Sequence, residues 1–203
     1  MWQLEILTKK QEVKPLRKGL EEYFEDFNII AGISDDSRLE KALYSKVLTV
    51  FLLNANLTKL DQYAKKCKEH GKKLFLHLDL MKGMSSDKEA IKFLAENELC
   101  DGIITTHKNL IEYAKSEGLY TVQRIFVLDS GTIKNGIKSL KKVRPDAVEI
   151  LPGLMTPHFL NQLNVEIDIP FIAGGLIRTR KEVDKLFEKG VLAVSTSEDD
   201  LWY

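Results

Sequence analysis

The chain has 203 residues, of which 44% are hydrophobic and 30% are charged, and its 30 basic residues balance its 30 acidic residues. This length is enough for one sizeable core and short for two, and the composition is that of an ordinary globular protein. A net charge of zero excludes a nucleic-acid binder that acts through a diffuse positive field, but it is compatible with a local basic patch.

The cysteines and the apolar runs indicate the compartment. Cys67 and Cys100 belong to no CxxC motif and no Cys/His cluster, so we interpret them as buried thiols in a reducing cytoplasm. The N-terminus lacks the apolar core of a signal peptide, and runs such as residues 47–53 are too short to span a bilayer. We therefore expect a cytoplasmic protein with no membrane contact. We also predict no cofactor and no metal.

Residues 1–28 differ from the rest of the chain. Leu16, Leu20, Phe24 and Phe27 fall on one helical stripe, and Pro15 suits the first turn of that helix. This pattern predicts an N-terminal helical extension that packs on the remaining domain, across one of its ends. A helix that binds a partner protein is the alternative.

From residue 29 onward, short apolar segments alternate with amphipathic stretches. The predicted strands are residues 29–33, 47–53, 73–79, 102–105, 120–127, 147–150, 169–173 and 191–195. This alternation predicts an α/β fold, and eight is the number of strands that closes a compact (β/α)8, TIM-type barrel, here over residues 29–203. A doubly wound open sheet is the alternative, but its usual GxGxxG turn after an early strand is missing.

The last two predicted strands end in residues suited to an oxyanion. Gly174 and Gly175 follow the seventh strand, Arg178 comes shortly after them, and the eighth strand ends in Ser195 and Thr196. Glycines let an anion approach backbone N–H groups, and this arrangement is typical of the phosphate site after strands 7 and 8 of a barrel. Alternatively, the glycines only allow the strand and helix to pack tightly.

Polar side chains also stand at the ends of three earlier strands. His77 and Asp79 are two residues apart on one predicted strand, so both side chains should face the same side of the sheet. They could contact a ligand, hold a metal or act as an acid–base pair. Alternatively, they form a hydrogen-bonded polar layer inside the barrel. Glu149 lies in a buried strand, where a carboxylate needs a partner. That partner could be a ligand hydroxyl or a structural bridge to Arg124.

Basic residues form one continuous face on the helix after the fifth strand. Lys134, Lys138 and Lys141 are spaced i, i+4, i+7, and Lys142 and Arg144 extend the row, so these five are candidate RNA contacts. The alternative is an ordinary solvated helix surface. A second cluster, between the second helix and the third strand, comprises Lys65, Lys66, Lys68, Lys72 and Lys73. By topology, Lys72, Lys73, Lys142 and Arg144 should lie toward the N-terminal face of the barrel.

Six motifs, in this order and spacing, closely resemble the glycerol-3-phosphate-responsive antiterminator family, the bacterial glycerol uptake operon regulators. They are HLDLMKG (77–83), DGIITTH (101–107), QRIFVLDS (123–130), PDAVEILPG (145–153), IPFIAGGLIRT (169–179) and AVSTS (193–197). The resemblance implies a barrel that binds glycerol 3-phosphate and contacts leader mRNA to prevent transcription termination. By motif, it implies phosphate contacts at Gly174, Gly175, Arg178, Ser195 and Thr196. It implies polyol contacts at His77, Asp79, Arg124 and Glu149.

Two functions from different classes remain open at this point. One is a ligand-gated, RNA-binding regulator that turns over no substrate and has no catalytic residues. The other is a TIM-barrel enzyme acting on a small phosphorylated polyol or sugar, with His77, Asp79 or Glu149 as acid and base. The motifs favour the regulator. The sequence leaves the formation of a homo-oligomer open.

Overall fold

The computed structural model describes residues 19–20, 24, 27–163 and 168–203. Eight parallel strands pair in chain order, and β8 closes onto β1, so the predicted barrel is confirmed. The strands are β1 Ile29–Ile33, β2 Thr49–Leu52, β3 Lys73–His77, β4 Gly102–Thr105, β5 Tyr120–Phe126, β6 Ala147–Leu151, β7 Phe171–Gly174 and β8 Ala193–Thr196.

Seven α-helices cover the outside of the barrel in the described ranges. They are α1 Leu39–Leu43, α2 Leu60–Glu69, α3 Lys88–Glu96, α4 Lys108–Ser116, α5 Ser130–Val143, α6 Thr156–Leu163 and α7 Arg180–Glu188. The start of α7 follows from its sequence: Thr179 caps the helix, and Glu182 completes the capping box. None of the described helices is long and apolar enough to cross a membrane.

Alternation along the strands divides the core into an outer and an inner layer. One face of each strand packs under the helices, and the other face fills the barrel interior. The interior cluster consists of Leu20, Phe24, Ile30, Phe51, Phe75, Ile104, Tyr120, Val122, Ala147, Ile172 and Ala193. Because polar residues follow two positions later on several strands, this apolar plug lies toward the N-terminal ends of the strands.

Two residues of the N-terminal extension contribute to that plug. Leu20 is 3% exposed and Phe24 is 1% exposed, and both belong to the interior cluster. The rest of the predicted helix, including Leu16, lies outside the described residues. The division of the chain into an extension and a barrel at residue 28 stays a prediction.

The lysine cluster before β3 is largely neutralised at the base of the barrel. The ammonium group of Lys72 is buried and donates to the carbonyl oxygens of Ser45 and Val47, at 2.8 and 2.7 Å. Lys73 pairs with Asp101 at 2.7 Å. Lys72 and Lys73 thus lie at the N-terminal end of β3, as the topology predicts, but the buried ammonium group of Lys72 adds no charge to the surface.

Candidate functional site

A small cavity of about 120 Å³ opens between the C-terminal ends of β7 and β8. It is lined by Gly175, Leu176, Ile177, Arg178, Thr196, Ser197 and Glu198. Three of the five residues predicted for a phosphate, namely Gly175, Arg178 and Thr196, line this one cavity. The cavity lies at the end of the barrel where proteins of this fold bind their ligands.

The loop after β7 has an unusual backbone. Gly175 and Leu176 have φ angles of +75° and +60°, so two consecutive residues are left-handed. The second is costly for a leucine, by about 1–3 kcal/mol, and such strain is concentrated at ligand sites. The Gly153 N–H donates to the Gly175 carbonyl oxygen at 3.1 Å and ties this loop to the end of β6. The turn is thus held in place by its neighbour.

Arg178 stands at the rim of the cavity. Its backbone N–H donates to Glu182 Oε2 at 2.9 Å, which fixes the main chain just before α7. Its side chain is exposed, and its guanidinium makes no hydrogen bond to any other described residue. The guanidinium donors are therefore available to an oxyanion, for which their planar fork is well suited.

The Thr196 hydroxyl serves the loop. It donates to the Ile177 carbonyl oxygen at 2.8 Å and accepts from the Glu198 N–H at 3.1 Å. The Thr196 carbonyl accepts from Trp202 Nε1 at 3.1 Å. This hydroxyl has only one proton, so Thr196 positions the cavity wall and has none left to donate to a ligand. The Ser195 side chain faces the interior beside Gly32.

A polar layer lies above the apolar plug inside the barrel. His77, Arg124 and Glu149 are 3%, 7% and 1% exposed. Arg124 Nε donates to Glu149 Oε2 at 2.7 Å, so the bridge weighed as an alternative from the sequence is present. Gly174 borders this layer, because a Cβ built on it would lie 2.4 Å from Glu149 Oε1. The glycine therefore makes room for the carboxylate.

Asp79 does not extend the strand of His77. β3 ends at His77, and Asp79 lies in a short 3-10 helix, Leu78–Leu80, so the prediction of one shared strand face is wrong. The reason is its anchor: the Asp79 carboxylate accepts from Thr105 Oγ1 at 2.5 Å and from the N–H and Oγ1 of Thr106 at 2.8 and 2.7 Å. Burial raises the pKa of Asp79, but these hydrogen bonds outweigh it and leave the pKa below its usual value.

The His77 imidazole is neutral at physiological pH. Burial and the adjacent positive charge of Arg124 lower its pKa to about 4, although Asp79 acts in the opposite direction. Its Nδ1 atom is buried and has no hydrogen-bond partner among the described residues. A buried ring nitrogen without a partner is costly, so this atom is a candidate ligand contact.

Three supporting residues received no role from the sequence. Thr106 holds Asp79, Gly153 holds the β7 loop, and Trp202 supports the end of β8. Gly153 was the easiest to find, because a glycine two residues after a buried strand can mark a close approach between backbones. A Cβ there would lie 3.0 Å from the Gly174 nitrogen.

The basic row on α5 is exposed, as its spacing predicts. Ile133, Leu140 and Val143 bury the opposite face of the helix. The exposed members of the row are Lys134, Lys138, Lys141, Lys142 and Arg144. The row lies on the outside of the barrel, separate from the cavity after β7 and β8.

Fold and site together define a (β/α)8 barrel protein with its candidate ligand site at the C-terminal ends of the strands. In the described ranges, no group of three or more His, Cys, Asp or Glu side chains could hold a metal ion. The model of the family "Glycerol-3-phosphate responsive antiterminator" matches residues 29–202, and the chain belongs to this family.

Three individual proteins are similar to this chain over most of their length. The glycerol uptake operon antiterminator regulatory protein from Listeria monocytogenes is 35% identical, with a TM-score of 0.83 over 88% of this chain and 96% of that one. A glycerol uptake operon antiterminator-related protein from Thermotoga maritima is 32% identical, with a TM-score of 0.77 over 86% and 97%. The uncharacterized protein YgcP from Escherichia coli K12 is 34% identical over 86% of this chain and 91% of its own.

Proposed function

We propose that this protein is a cytoplasmic antiterminator that binds glycerol 3-phosphate and, in response, contacts leader mRNA of a glycerol catabolic operon. The observation that carries the ligand-binding part of the proposal is the cavity after β7 and β8. There a left-handed glycine turn meets an arginine whose guanidinium makes no hydrogen bond to another described residue. The family assignment supplies the regulatory half.

In this proposal the phosphate lies at the β7 and β8 ends. Arg178 supplies charge-assisted hydrogen bonds, and the glycine loop supplies backbone donors. Thr196 contributes by holding the loop, through its bond to Ile177. The residues that we propose to surround the phosphate are Gly174, Gly175, Arg178, Ser195 and Thr196. The glycerol hydroxyls face the interior layer of His77, Asp79, Arg124 and Glu149.

The RNA contact is proposed on the α5 row. A protein with no net charge must hold a phosphate backbone with a local patch, and this row presents one. The proposed RNA contacts are Lys134, Lys138, Lys141, Lys142 and Arg144.

The ligand is bound without turnover in this proposal. An acid–base catalyst needs a pKa near the working pH, but His77 has a pKa of about 4 and the pKa of Asp79 is below its usual value. Incubation with glycerol 3-phosphate, with and without Mg²⁺, should yield no product by NMR. Product above background that disappears in Glu149→Gln would favour the enzyme.

Calorimetry with the full chain tests the ligand assignment. Glycerol 3-phosphate should bind, and glycerol at the same concentration should bind poorly, because it lacks the charged group that the cavity holds. Equal affinities for the two compounds would contradict the proposed phosphate site.

A further inference from the structure

The interior layer contains hydrogen-bonding groups that the protein itself does not satisfy. Arg124 uses its Nε for Glu149, and no hydrogen bond engages its two terminal amino groups within the described part of the chain. Glu149 Oε1 accepts no hydrogen bond from a described residue, and His77 Nδ1 has no partner either. Of these atoms, His77 Nδ1 is buried without a partner, which is costly, and the Arg124 amino groups and Glu149 Oε1 have hydrogen-bonding capacity to spare, so the layer can be completed by a bound molecule.

The layer is also uncharged as a whole. The positive charge of Arg124 is balanced by Glu149 at 2.7 Å, and His77 is neutral because its pKa is about 4. The ammonium group of a ligand would be repelled by Arg124, and the carboxylate of a ligand would be repelled by Glu149. A neutral polar group adds no charge to this buried layer, so it avoids the cost of burying an unpaired one.

The unsatisfied groups include both donors and acceptors. The terminal amino groups of Arg124 only donate, and Glu149 Oε1 only accepts. A hydroxyl group both donates and accepts, so it can bridge the two. A carbonyl oxygen can accept from Arg124 but has no proton to give to Glu149 or His77.

We propose that Arg124, Glu149 and His77 form a selectivity site that recognises two adjacent hydroxyl groups and rejects three-carbon phosphates carrying a carbonyl or carboxylate there. Each hydroxyl accepts from Arg124 and donates to Glu149 or to His77. Asp79 is a positioning residue, because its carboxylate is already engaged by Thr105 and Thr106. This inference rests on the proposed function, which places the phosphate of the same ligand after β7 and β8.

The test on the unmodified full chain is calorimetry with glycerol 3-phosphate, dihydroxyacetone phosphate and 3-phosphoglycerate. Glycerol 3-phosphate should bind at least about tenfold more tightly than either of the others, since each leaves a buried group unpaired or adds a charge. Equal affinities would overturn the selectivity site and leave the proposed function intact. No binding of glycerol 3-phosphate would overturn both.

A matched pair of variants locates the selectivity. Glu149→Gln removes the negative charge that repels a carboxylate, so the preference for glycerol 3-phosphate over 3-phosphoglycerate should fall about tenfold or more. Glu188→Gln makes the same change on the exposed surface of α7 and should keep the wild-type preference. An unchanged preference in a folded Glu149→Gln protein contradicts the assignment. If that variant does not fold, the ligand series on the unmodified chain decides.

Discussion

The carboxylate of Glu149 lies directly against the backbone of Gly174, where a Cβ would be 2.4 Å from Oε1. Only a glycine on β7 leaves the space that this buried ion pair with Arg124 occupies. The glycine therefore positions the interior half of the candidate site as well as bordering the phosphate half.

Gly174→Ala should displace the Glu149 carboxylate and disturb both the interior polar layer and the phosphate end of the candidate site. We expect glycerol 3-phosphate affinity to fall at least about tenfold and the free energy of unfolding to fall by about 1–3 kcal/mol, as in an overpacked core. Calorimetry and urea denaturation measure the two effects. Gly136→Ala is the matched control, since its Cβ would have ordinary contacts, the nearest at 3.4 Å, inside α5. Normal binding by Gly174→Ala would contradict this role.

Arg178→Ala should weaken glycerol 3-phosphate binding by about 1.5–3 kcal/mol, the size of a charge-assisted hydrogen bond. Arg180→Ala is the control, because that neighbouring arginine is already paired with Asp184 at 2.9 Å. The control should bind as the parent does. If the two variants behave alike in calorimetry, Arg178 is not the phosphate ligand.

Because His77 is held neutral in the folded protein, we expect the free energy of unfolding to fall in acid. Its pKa of about 4 in the folded protein lies below the ordinary value of 6.5, so the unfolded chain takes up the proton first as pH falls. The stabilisation is complete above about pH 6.5 and is lost between there and pH 4.

Between pH 7 and pH 4.5, the free energy of unfolding should therefore fall by about 2 kcal/mol less in His77→Gln than in the parent, as measured by urea denaturation. His107→Gln, at an exposed position, should show the parent's pH dependence. Equal acid sensitivity in the His77 variant and the parent would mean that His77 is not held neutral.

Salt dependence tests the RNA surface. Each phosphate contact adds about 0.7–0.9 to the slope of log affinity against log salt, so Lys134→Glu/Lys138→Glu should flatten it by about one to two units. Ligand affinity should hardly change, because these lysines point away from the barrel interior. Lys65→Glu/Lys92→Glu reverses two exposed charges on other helices and should leave the slope unchanged. An unaltered slope in the α5 variant would move the RNA to another surface, with the mouth of the barrel as the next candidate.

Local patterns were sufficient to predict the barrel. The eight apolar segments became strands within a few residues, and α7 has its N-cap at Thr179, a residue type common at that position. Periodicity and capping depend on neighbours along the chain, so they can be seen in one sequence.

The site was harder to predict because its details depend on contacts between distant residues. Asp79 was expected on β3 and lies beyond it, since Thr106, 27 positions along the chain, holds its carboxylate. Thr196 was expected to donate to a phosphate, but its proton goes to Ile177. Neither partner can be identified from spacing alone, because β3 and β4, and β7 and β8, become neighbours only when the barrel closes.

A gel-shift titration of the operon's leader transcript, with and without glycerol 3-phosphate, measures whether ligand binding and RNA binding are coupled in this protein. A ligand that couples to RNA binding must change the RNA affinity, typically by about 5- to 150-fold. We predict that the transcript binds more tightly when glycerol 3-phosphate is present and that Arg178→Ala abolishes this difference. Identical affinity with and without the ligand, or no binding in either case, would contradict a glycerol-3-phosphate-responsive antiterminator.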